Sequence, residues 1–169
     1  NLKISIDYGF KVPEEGSDRL GRLNTKNGVI YEVAQWYPRM AVYDDLKGWN
    51  VMPYLGAGEF YMEYGTFNYS ITAPAEYVVV ASGDLLNPKE VLTKVKQKRM
   101  DQARNSDERV YIIRKNEVGT EESRPSGKER LTWNYKMENT RDVAWAASKA
   151  FVWDAARINL PDNEQAMAM

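Results

Sequence analysis

A chain of 169 residues with 43% hydrophobic, 12% aromatic and 28% charged side chains can bury one sizeable core and lacks the polar excess of a disordered segment. Its formal net charge of -1 removes the electrostatic basis for a nucleic-acid or anionic-membrane binder, and no apolar run is long enough to span a bilayer. With no histidine and no cysteine, Ser-His-Asp and Cys-His nucleophile systems cannot be assembled and zinc would lack its usual ligands; the lack of disulfides suits cytoplasm and a disulfide-poor periplasm alike.

Period-two alternation dominates and predicts a mainly β chain organised as one domain over 1–169. Ile4, Ile6 and Tyr8 oppose Lys3, Ser5 and Asp7, which predicts a half-buried first strand. A loop with Pro13, Gly16, Gly21 and Gly28 leads to a strand over 29–37, and Phe67, Tyr69 and Ile71 oppose Thr66, Asn68, Ser70 and Thr72 in another. EYVVVAS at 76–82, bounded by Pro74 and Gly83, has the continuous apolar character of a central strand covered on both faces. One helix is predicted over 88–104: Pro88 follows Asn87 as a cap, and Val91, Leu92, Val95 and Ala103 share an apolar stripe. Its Lys89, Lys94, Lys96, Lys98, Arg99 and Arg104 read as a solvated face. VYIIR at 110–114 is a further strand, and the polar NEVGTEESRPSGKE reads as a variable turn with Glu121 and Glu122 in solvent.

In the strand over 131–137, Leu131, Trp133, Tyr135 and Met137 share one face, which sends Glu138 of the KMEN stretch toward solvent. That stretch imitates the Met-Glu-Asn of a peptidase motif, but Lys136 stands where the motif has glycine. Gln35 is the candidate functional residue. It interrupts the stripe Val29, Tyr31, Val33 and Tyr37, so its amide either bonds within the fold or faces a cleft where the strand leaves the core before Pro38.

YEVAQWYPRMAVYDD, the ASGDL turn at 81–85 and TWNYKMENTRDVAWAASKAFVWDAARI together carry a resemblance. From about residue 28 onward the chain resembles the N-terminal β-domain of the aminopeptidase N family of zinc metallopeptidases, most of all a Bacteroidetes-like branch. The resemblance implies a bent, saddle-like β-sandwich with one inserted helix, packed beside a catalytic domain that holds the zinc through H-E-x-x-H. It implies no cofactor in this chain, a peptide substrate for the whole protein, a periplasmic or exported location, and a turn followed by a strand over 141–158. Gln35 would line the substrate cleft, with Tyr37 at the neighbouring position where the family carries an acidic or amide group. A phenol cannot supply the charge that anchors an α-ammonium.

Residues 46–60, with Gly48, Gly56, Gly58, Trp49 and Tyr54, read as an insertion relative to that family. Strand-like NLKISIDYG at the start and NEQAMAM at the end, without initiator Met or signal peptide, set the expectation of a piece of a longer protein. Such a piece would expose an apolar face where the catalytic domain docks, a face that self-association could cover. The alternative reading is an independent β-sandwich module binding glycan or protein through exposed aromatics.

Overall fold

The structure is a computed structural model that describes residues 2–14 and 18–169; Gly16 of the expected loop lies outside them. The fold is mainly β. Strands run in the order β1 (Leu20–Thr25), β2 (Gly28–Ala34), β3 (Tyr43–Asp44), β4 (Gly48–Trp49), β5 (Gly65–Pro74), β6 (Val78–Ala81) and β7 (Asp84–Leu85). Helices α1 (Pro88–Val91) and α2 (Lys94–Arg104) follow, then β8 (Val110–Ile113), β9 (Arg130–Thr140), β10 (Ala144–Ser148), β11 (Trp153–Asn159) and β12 (Gln165–Ala168). The strands pair as β1-β2-β10-β6, β5-β9-β7, β12-β11-β8 and the small β3-β4 hairpin, and no barrel closes.

One hydrophobic core joins the three larger sheets, because alternation sends Val79 and Ala81 of β6, Leu131, Trp133 and Tyr135 of β9, Ala147 of β10 and Trp153 and Ala155 of β11 inward. Val91, Leu92, Met100 and Ala103 of the helical segment pack against the same core. The 66–72 alternation is realised in β5, whose Phe67, Tyr69 and Ile71 are partly buried while their neighbours are exposed. The 141–158 stretch folds as turn and strand, in two strands rather than one.

Several expectations are corrected. Residues 2–12 form no strand: their side chains are exposed except for Val12, and they join no sheet, because alternation supplies a face but no partner ladder. β6 is an edge strand rather than a central one, pairing only with β10. It is buried because the second sheet covers its edge, where the Tyr135 hydroxyl donates to the Val79 carbonyl at 2.8 Å. The predicted helix over 88–104 is two helices, since Leu92 is extended and the Thr93 hydroxyl starts a new helix by accepting from the Lys96 amide. Asn87 does not cap with its side chain; it pairs with β9, its Nδ2 donating to Thr132 O and its Oδ1 accepting from Asn134 N. The 46–60 segment contains β4 but otherwise no regular element.

The solvated basic face is corrected at two positions, Lys96 and Arg99. Lys96 is 1% exposed, held by Glu117 of the supposedly variable turn, whose carboxylate is 2.6 Å from Lys96 Nζ and 2.7 Å from Arg99 Nη1. Arg99 Nη1 also donates to Ile112 O and the Arg114 amide donates to Glu117, so the triad clamps α2 to β8 and its loop. Glu121 and Glu122 are exposed, as expected.

Candidate functional site

The strand expected over 29–37 ends at Ala34, because Gln35 takes a φ of 52° and a left-handed residue cannot continue the ladder. Val29, Tyr31 and Val33 keep their common face, but Gln35 and Tyr37 leave it. The backbone therefore turns at the glutamine itself, before Pro38. Non-glycine residues in this region carry strain of about 1 kcal/mol or more, which must be held by their surroundings. Asn139, at the end of β9, is also left-handed with φ 49°.

What holds the corner is a polar and aromatic network. The Tyr37 hydroxyl donates to Asp142 Oδ1 at 2.6 Å across 105 residues of sequence, and the Val143 amide donates to the same oxygen at 2.9 Å. Arg39 Nη1 lies 3.5 Å from that carboxylate, and its guanidinium sits 5.7 Å from the ring centres of both Tyr37 and Phe67. Arg39 also reaches the Met62 sulfur and the Glu63 carbonyl, tying the 43–64 segment to this corner. Trp36 packs edge-on against Tyr37 and Trp145, at 4.9 and 6.3 Å between centroids.

Burial, reinforced by the Asp142 carboxylate, raises the Tyr37 hydroxyl well above its ordinary range, so it stays a neutral donor. Its proton is committed to Asp142. Gln35 is partly buried, and among the described residues no hydrogen bond engages its amide. The two sequence candidates thus sit two residues apart with different duties: Tyr37 braces the turn and Gln35 is left with free donors and acceptors. Asp142 and Arg39 were missed by sequence reasoning; a short polar spacing such as R-D after a strand carries no signal for a partner a hundred residues away.

Tyr37→Phe should cost about 1–2 kcal/mol of stability in urea unfolding, as expected for one bond to a carboxylate. If the pairing is specific, combining it with Asp142→Ala costs much less than the two single effects added together.

Glu138 is exposed and pairs with Lys136 at 2.6 Å, on the face opposite Trp133 and Tyr135, as the alternation predicts. It does border a groove of about 1080 Å³ that is also lined by Val80, Met100, Met137, Trp145 and Met167. Ala34 reaches this groove, whereas Gln35 and Tyr37 do not line it. Among the described residues no three carboxylates converge where a metal ion would be held, and no helix is long and apolar enough to cross a membrane. The chain matches no protein-family model, no curated protein and no solved structure.

Proposed function

We propose that this chain is the non-catalytic N-terminal β-domain of a zinc-dependent, aminopeptidase-like metallopeptidase, packed on a catalytic domain and lending Gln35 to the substrate cleft. The observation that carries the reading is the apolar surface beside the Gln35 corner. Tyr43, Leu46, Trp49, Val51, Met52, Tyr54, Leu55, Phe60, Tyr61 and Tyr64 are all exposed within one stretch, and Arg39 fastens that stretch to the turn after β2. A docked domain would bury such a surface, since interdomain contacts commonly cover roughly 600–1,500 Å². The resemblance over residues 28–158 supplies the class of that domain.

The residues here do not fit a zinc site, so the metal belongs to the catalytic domain and would there activate the attacking water. What this chain contributes is an amide on a braced turn, able to accept from a substrate ammonium or donate to a backbone carbonyl. The test is the product of the full-length gene. Hydrolysis of aminoacyl substrates that is lost on chelation and restored by zinc supports the proposal; a full-length protein without zinc-dependent peptidase activity overturns it.

A second reading, an independent module that binds protein or glycan, is favoured by the groove of about 1080 Å³ with its methionine and tryptophan lining. Methionine surfaces adapt to varied apolar partners. Peptide binding by this chain in the groove, abolished by Met137→Asp, would favour it.

A further inference from the structure

We propose that residues 2–8 form a pairing strand for a second copy of this chain, in an antiparallel register centred on Ser5. Tyr8 and Phe10, two residues apart, stack their rings at 6.2 Å with planes 6° from parallel, an arrangement that places alternate side chains on one face. Leu2, Ile4, Ile6, Tyr8 and Phe10 make one apolar face and are each 49% to 81% exposed. Among the described residues no backbone–backbone hydrogen bond involves residues 2–11. Among the described residues its one polar tie to the fold is the Tyr8 hydroxyl donating to Trp36 O at 2.8 Å, which fixes where the segment is presented. A strand with its full row of unpaired donors and acceptors is a template for another strand.

The sequence itself selects the occupant. Antiparallel pairing about Ser5 sets Leu2 opposite Tyr8, Ile4 opposite Ile6, and Lys3 opposite Asp7 of the second copy, and the two-fold axis repeats each pair. Every apolar residue then meets an apolar one and each charge meets its opposite, a combination that stabilises antiparallel pairs. Moving the centre to Ile6 keeps the apolar face but sets Lys3 against Gly9 and Asp7 against Ser5, losing both ion pairs. A two-stranded ribbon is marginal alone, so the association is weak and concentration-dependent. It is independent of the peptidase reading.

Sedimentation equilibrium of this chain over a wide concentration range tests it. The expected result is a reversible dimer, weakened about tenfold by Lys3→Asp or by Asp7→Lys and restored when both changes are combined. Thermal unfolding at concentrations where the chain is monomeric should be unchanged in all three variants, because both side chains are exposed. A monomer throughout, single variants that associate as the parent does, or no recovery in the double variant overturns the proposal. The second of these outcomes would assign the association to another surface, such as the aromatic stretch at 43–64.

Discussion

Gly83→Ala should destabilise the domain by about 3 kcal/mol or more, lowering the midpoint of thermal unfolding by roughly 6–12 °C. Gly83 has a φ of +91°, where a side chain is strained whatever the space around it. Here there is no space either: an added Cβ would stand 2.3 Å from the Lys136 carbonyl oxygen and 2.7 Å from the Met137 Cβ. Those atoms belong to β9, the central strand of its sheet, so they cannot retreat without disturbing Asp84 against Lys136 and Leu85 against Tyr135. The ASGDL turn is thus a point where two backbones touch. Gly58→Ala is the matched control, because nothing lies within 4 Å of its Cβ position, and it should change stability by less than about 0.5 kcal/mol. A Gly83→Ala loss below 1 kcal/mol would mean that the turn can shift away from β9.

Glu117→Ala should cost about 3–5 kcal/mol, because it strips a buried ammonium of its counter-charge rather than removing a surface pair. Lys96 is 1% exposed, and Glu117 is its ion-pair partner among the described residues. Replacing both, as Lys96→Met with Glu117→Leu, should cost much less than the single change, since no uncompensated Lys96 charge remains. The pH dependence has a definite sign. Bonds from Arg99 first, then from Lys96 and the Arg114 amide, outweigh burial and push the Glu117 carboxyl down to about 2 from 4.5. A depressed carboxyl stabilises the fold fully above its unfolded value, and that share is lost as pH falls from about 4.5 through about 2. Glu117→Gln should therefore flatten the stability curve across that window. An unaltered slope would show that other carboxylates set the acid limit.

The sequence showed faces better than partners. Alternation named the inward faces of β5 and β9 and sent Glu138 outward, because a strand's two faces are fixed by its own residues. The same logic over-read residues 3–8, where the face exists but the ladder that makes it a strand does not. Whether a strand is central or at an edge is likewise decided elsewhere: β6 is covered by Tyr135, 56 residues away. Lys96 looked like any solvated lysine, since its burial depends on Glu117 in a loop of ordinary polar composition. At the corner, the interruption of the stripe by Gln35 was legible, but its left-handed backbone and the Tyr37–Asp142 brace were not. A positive φ at glutamine leaves no mark in composition, and a contact across 105 residues leaves none in spacing.

The most direct test of the central claim is kcat/KM of Gln35→Ala in the full-length, zinc-loaded protein, with unfolding measured beside it. The account predicts a fall of about two- to tenfold, corresponding to roughly 0.5–1.5 kcal/mol for one lost polar contact, with stability held and Glu138→Ala kinetically indistinguishable from the parent. A Gln35→Ala enzyme with unchanged kcat/KM, beside a folded Glu138→Ala enzyme without activity, would contradict it.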